Sequence, residues 1–144
     1  MDNPPPQPHR LLGIDPGQRR TGVAVSDELG MFAHPRPAIL TRADRTLVDE
    51  VARLVAAEDV AEVVVGLPLS LSGEDSAQTA QVRELVNSLR DRLAVPVTTW
   101  DERLTSVQAG RTLREGRTRT GALDSAAAAL ILQAVLDSRR GAAS

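Results

Sequence analysis

The stretch Arg10-Leu11-Leu12-Gly13-Ile14-Asp15-Pro16-Gly17-Gln18-Arg19-Arg20-Thr21-Gly22-Val23-Ala24-Val25-Ser26 decides the fold. Its first part, Arg10 to Asp15, reads as an apolar strand, and Pro16-Gly17 breaks it. Thr21 to Ser26 reads as a second strand, the hairpin partner of the first. The acid at the end of the first strand matters for function. In open α/β sheets, functional groups collect at the carboxyl ends of strands.

Working outward, Ala33 to Leu40 forms a short third strand. Its prolines, Pro35 and Pro37, suit an edge better than a centre, because proline cannot donate to a ladder. Leu47, Val51, Leu54 and Val55 follow at i, i+4, i+7 and i+8, one apolar face of a helix. Val63-Val64-Val65-Gly66 is an apolar run without polar alternation, as expected of a parallel strand covered on both faces. After the loop Leu67 to Gly73, a second helical stripe carries Val82, Leu85, Val86, Leu89 and Leu93. Val95 to Trp100 is a strand leading into Asp101-Glu102-Arg103. Thr105 with Gln108 resembles a capping box, so a helix is expected there. Gly116 to Gly121 is a polar, Arg-rich connection, and a last helix runs from near Asp124 to about Arg139. Strands crossed by helices in the second half argue for a parallel pair in an α/β fold. Residues 10–139 are expected to form one domain, with 1–9 a disordered proline-rich tail and 140–144 a frayed end.

The composition excludes several classes. A chain of 144 residues has room for one domain with a real core, and 42% hydrophobic with 25% charged residues is ordinary for a soluble protein. No run of about 18 apolar residues suggests a membrane span. The N-terminus lacks the regions of a signal peptide, and with no Cys the expected setting is a reducing cytoplasm. Every one of the 17 basic residues is Arg, which suits bidentate phosphate contacts. They cluster at Arg19-Arg20 and at Arg111, Arg114, Arg117 and Arg119. The net charge of −2 does not itself point to nucleic acid, and a solvated surface explains either cluster equally well.

Acids at three places are candidates for chemistry. Asp15 ends the first strand, although an Asp-Pro-Gly turn that caps local N–H groups would use the same residues. Asp101 and Glu102 end another strand, where acids preceding a helix are also favoured by its dipole. Asp124 opens the last helix on the face of Ala128, Ile131 and Val135. It is either an N-cap or a carboxylate aimed into a shared site. Small residues at Ala126, Ala127 and Ala128 let that helix approach the sheet closely. If the acids converge, two carboxylates about 5 Å apart repel by roughly 3 kcal/mol at an effective dielectric near 20. Three such pairs approach about 10 kcal/mol, comparable to the whole stability of a domain. Protons or cations must neutralise them. Oxygen-only ligands favour Mg²⁺ or Mn²⁺. His9 and His34 lie in tail and edge segments and are not expected to be structural ligands.

Four segments, taken together, resemble the YqgF family of Holliday-junction-resolvase-like proteins. They are Gly13 to Asp27, Val64 to Gly73, Asp101-Glu102-Arg103-Leu104-Thr105, and Leu123 to Gln133. The resemblance runs from about Arg10 to Arg139. It implies a ribonuclease-H-like fold, with a mixed five-stranded sheet whose first three strands are antiparallel, flanked by helices. It implies a metal-dependent nuclease acting on nucleic acid: the precursor of 16S ribosomal RNA, or branched DNA such as a four-way junction. Asp15, Asp101 or Glu102, and Asp124 match the family's acids. The expected catalytic set is therefore Asp15, Asp101, Glu102 and Asp124, with Asp15, Asp101 and Asp124 on the metal. Arg103 would hold a phosphate, orient the acids, or form a local salt bridge. Arg19, Arg20, Arg117 and Arg119 would position the nucleic-acid backbone. Ser70, Leu71 and Ser72 stand where the family pattern has Asn, Met and Asp, so the loop offers no acid at that point. Arg19 stands where relatives often carry Lys, which keeps the charge.

The expected protein is monomeric or a homodimer and has no membrane partner. Two other readings share part of the pattern. A non-cleaving nucleic-acid-binding module would need the arginines but no metal. An actin-like ATPase shares the Gly-Ile-Asp-Pro-Gly segment but requires two such domains, and this chain has room for one.

Overall fold

The computed structural model describes residues 9–40, 46–69, 76–105 and 125–143. Five strands form one sheet: β1 (Arg10–Asp15), β2 (Arg20–Ser26), β3 (Ala33–Leu40), β4 (Val60–Leu67) and β5 (Val97–Asp101). Among the described residues the helices are α1 (Thr46–Ala57), α2 (Ala77–Arg92) and α3 (Ala126–Ala143), with a 3-10 turn at Glu102–Leu104. The strand order is β3-β2-β1-β4-β5, antiparallel from β3 to β1 and parallel from β1 to β5. This is the mixed sheet expected. The helix expected from Thr105 lies, apart from Thr105 itself, outside the described residues. The last helix continues past Arg139 to Ala143. Arg140 helps hold that extension, donating to the Met31 carbonyl at 2.8 Å and pairing with Asp137. Among the described residues no helix is long and apolar enough to cross a membrane.

Alternation divides the strand residues between two cores. Leu12, Ile14, Val23, Val25, Val63, Val65 and Val97 face α1 and α2, where Val51, Val82, Val86 and Leu89 meet them. Leu11, Ala24 and Val64 face α3 and pack on Ala128, Leu132, Val135 and Leu136. The apolar run of β4 is thus covered on both faces, as its lack of polar alternation requires.

The α3 face is built for close approach. A Cβ added at Gly13 would lie 2.8 Å from Leu132 Cβ and 3.3 Å from the Ala128 carbonyl oxygen. The helix therefore sits almost on the backbone of β1. At its far end, Arg139 clamps Glu62 of β4 at 2.7 Å, and Thr98 of β5 donates to the same carboxylate at 3.1 Å. The hydrogen bond from Arg139 holds the Glu62 carboxyl below its ordinary range, against the opposing effect of burial.

One prediction concerns this seat. Leu132 Cβ is fixed to its helix backbone and cannot rotate away, so Gly13→Ala must push α3 outward. Overpacking of this kind costs about 1–3 kcal/mol. Urea unfolding should show the midpoint falling with the slope unchanged; a variant as stable as the parent would mean that α3 is not seated as described.

Candidate active site

Asp15 closes β1 and is only 2% exposed. Two residues before it, Gly13 meets α3, so the alternation puts Asp15 on the same face. The turn that follows depends on Gly17: a Cβ there would fall 2.2 Å from the Arg20 carbonyl oxygen. No side chain fits, and the close approach lets β2 return directly beside Asp15, which pairs with Gly22. Gln18, Arg19 and Arg20 are exposed on this turn, at the same end of the sheet as Asp15.

The second acid comes from the turn after β5, which is fastened at several points. Asp101 accepts from the Arg103 backbone N–H at 2.9 Å, capping the 3-10 turn. Its carboxylate also takes the Arg103 guanidinium, Nε at 3.0 Å and Nη2 at 2.6 Å. This pairing lowers the carboxyl pKa of Asp101 and raises that of Arg103, mainly through the side-chain hydrogen bond. The Thr105 N–H returns to the Glu102 carbonyl at 3.1 Å. The Trp100 indole N–H donates to the Thr105 hydroxyl at 2.8 Å. A turn held this way fixes the direction of Glu102.

That direction is toward the α3 face. Glu102 Oε1 lies 2.9 Å, and its Cγ 3.3 Å, from where a Cβ on Gly66 would stand, with Ile131 Cδ1 of α3 at 2.7 Å from the same point. Glu102 is 9% exposed. One step beyond the pair Ile14 and Val65, Gly66 stands alongside Asp15, about 5 Å away across the ladder. The structure therefore brings Asp15 and Glu102 to one face at the carboxyl ends of β1 and β4. It does not bring Asp101 there. Asp101 pairs with Leu67, whose side chain belongs to the α1–α2 core, and its carboxylate is engaged by Arg103. Of the roles weighed for Arg103, the local salt bridge is the one seen. Asp124, Arg117 and Arg119 lie outside the described residues, as does the segment Ser70 to Ser72. Among the described residues, no three His, Cys, Asp or Glu side chains are grouped to hold a metal.

Two contributors were not singled out for the site from sequence: Gly66 as the floor beneath Glu102, and the Trp100–Thr105 bond. Gly66 carried a usable signal, since a glycine inside a strand marks close approach of another group. The Trp100–Thr105 bond carried none, because either residue type is ordinary in a core or a helix start.

A mixed sheet of this order, flanked by helices and carrying buried acids at its strand ends, is a ribonuclease-H-like fold. The fold is shared with RuvC of Thermus thermophilus, solved in complex with a Holliday junction substrate. The TM-score is 0.57 at 17% identity, covering 92% of this chain and 96% of that one. The family model for RuvX, Holliday junction resolvase, matches residues 9–138, and the chain belongs to this family, also called YqgF. A relative from Koribacter versatilis, named as a candidate pre-16S rRNA nuclease, is 45% identical over 136 residues, covering 92% of this chain and 88% of its own. A relative of the same name from Nocardioides is 46% identical over 139 residues, covering 90% and 88%.

Gly66→Ala tests the geometry. The clashing atoms are the tips of Ile131 and Glu102, which can move, so the fold should survive with a melting temperature close to the parent. The carboxylate must shift, and a misplacement near 1 Å costs about 10²-fold in rate. Unaltered cleavage by this variant would remove Glu102 from its assigned position.

Proposed function

We propose that this nuclease hydrolyses phosphodiester bonds in the precursor of 16S ribosomal RNA, in the cytoplasm, using Mg²⁺ or Mn²⁺ held by Asp15, Glu102 and Asp124. The observation that carries this reading is the seating of the Glu102 carboxylate over Gly66, beside buried Asp15. Two buried carboxylates on one face of the sheet repel each other, and a cation relieves that repulsion. The donor set fits the ion: Mg²⁺ takes oxygen ligands and is commonly bound by one or two carboxylates together with substrate phosphate and water. The names of the relatives support the RNA substrate.

When bound, such a cation polarises the phosphoryl oxygens and lowers the pKa of water. The remaining work falls to the chain itself. Asp15 is fixed by the Gly17 turn and by its place at the end of β1. Glu102 is fixed by the turn that Asp101, Arg103 and Thr105 hold closed. In this reading Asp101 is a positioning residue, and the expectation that it binds metal passes to Glu102. Arg19 and Arg20, exposed on the adjacent turn, neutralise phosphates of the incoming strand, with Arg117 and Arg119 assigned the same task. Such contacts set register rather than sequence. Hydrolysis adds water to phosphorus and releases the 3′ oxygen. Aromatics make up only 1% of the chain, so base stacking contributes little and a structured substrate is favoured.

The test compares cleavage of precursor 16S RNA with cleavage of a four-way DNA junction. Wild type should cut the RNA in Mg²⁺ or Mn²⁺ and leave the junction intact. Asp15→Asn, Glu102→Gln and Asp124→Asn should each abolish cutting while binding is kept. Asp101→Asn should retain measurable cutting. Preferential cutting of the junction would replace the substrate, and parental rates in Asp15→Asn or Glu102→Gln would overturn the site.

A further inference from the structure

The outer edge of the sheet carries a groove that the cleavage chemistry does not use. Thr21 pairs with Ile39, but Val23 pairs with Arg36, so two steps along β2 match three along β3. The extra residue falls at Pro37-Ala38, and proline, having no N–H, suits a bulge. The buried Ser125 hydroxyl braces the bulge, accepting from the Val23 N–H and donating to the Arg36 carbonyl. Beside it, β3 and α1 leave an open cavity of about 480 Å³. Pro37, Ala38, Ile39 and Leu40 line one wall, and Glu50 and Leu54 of α1 line the other.

The lining is largely aliphatic and carries two charged groups. Arg36 is held by Glu58, its Nε 2.9 Å from that carboxylate. Glu50 adds a carboxylate that is 34% exposed and stands 3.1 Å from Arg53. A groove of this kind repels phosphate. It favours a flat, partly apolar group that can donate to a carboxylate, and a nucleobase is such a group. In nucleic-acid recognition Glu accepts from the amino group of cytosine.

The groove also reaches the catalytic end of the sheet. Leu40 is 53% exposed. It pairs with Arg20, which lies two residues before Gly22, the partner of Asp15. Ile39 packs into the α1–α2 core, so Leu40, the next residue, projects with Arg20 to the α3 face, the face of Asp15. Strand spacings put Leu40 about 12 Å from Asp15, which is roughly three or four stacked nucleotides. Arg20 stands on the strand between them and is exposed.

We propose that this groove is a base-binding subsite of the nuclease. It takes one unpaired nucleobase of the substrate strand, a few nucleotides from the scissile phosphate, with Leu40 at its mouth and Glu50 accepting from the base. This rests on the RNA reading made above and extends it from backbone contacts to the selection of an unpaired position. Bases that carry an amino group are favoured there over uracil.

The probe is a fluorescent RNA stem with a short single-stranded extension, made intact and with one base at a time removed. Binding to the full-length protein is read by anisotropy in EDTA, so neither metal nor cleavage enters. Wild type should lose about 10-fold in affinity when one particular base is missing, and should bind more weakly when uracil stands there. Leu40→Ala and Glu50→Gln should bind the intact RNA about as weakly as wild type binds the abasic one, and neither should respond to the missing base. Both side chains reach the surface, so melting temperatures should stay at the parental value. Leu29→Ala is the control: that leucine is 70% exposed on the β2–β3 turn at the opposite end of the sheet, and its removal should leave binding unchanged. Equal binding of intact and abasic RNA by wild type at every position, or undiminished base dependence in either groove variant, would overturn the subsite. Wild type that binds no RNA would overturn the RNA reading and the subsite with it. Parental cleavage by Asp15→Asn would overturn the catalytic site alone.

Discussion

The structure depends on the space left empty above two glycines. On the α3 face of the sheet, Gly13 leaves room for the helix backbone at Ala128 and Leu132, and Gly66 leaves room for Glu102 and the tip of Ile131. Any side chain at either position would stand where another group already stands. The seat of α3 and the seat of the second carboxylate are therefore one constraint, applied to neighbouring strands. Ala127, Ala128 and the alternating apolar residues of β1, β2 and β4 complete a surface on which the helix can lie close.

Close packing also has an electrostatic consequence. It removes water from around Asp15 and Glu102, and their mutual repulsion grows as solvent is excluded. Arg103 pairs with Asp101 on the other face. On the α3 face stand the hard oxygen donors of Asp15 and Glu102, at the carboxyl end of the central strands. In the proposed reading a divalent ion and a phosphate engage them. Chemistry and fold meet at this point, because the groups that make the site costly to fold are those that make it useful when loaded.

Much of this was legible in the sequence. β1 and β2 follow from the apolar residues on either side of Pro16-Gly17, and the parallel placement of β4 follows from Val63-Val64-Val65. The edge position of β3 follows from Pro35 and Pro37, although the bulge that Pro37 supports does not. The choice between Asp101 and Glu102 was not legible. Adjacent residues at a strand end point to opposite faces, and only the 3-10 turn tied by Thr105 and Trp100 decides which faces α3. Ser125 was invisible for a different reason. A serine at a helix start reads as local capping, and nothing in its neighbours reveals that its partners, Val23 and Arg36, lie about a hundred residues earlier in the chain.

The measurement that bears most directly on the account is anomalous diffraction from crystals soaked in Mn²⁺. The account predicts a manganese ion coordinated by carboxylate oxygens of both Asp15 and Glu102, with Asp101 still bound to Arg103. Manganese on Asp101 with Glu102 turned away from Gly66, or no ion beside Asp15 at saturating Mn²⁺, would contradict it.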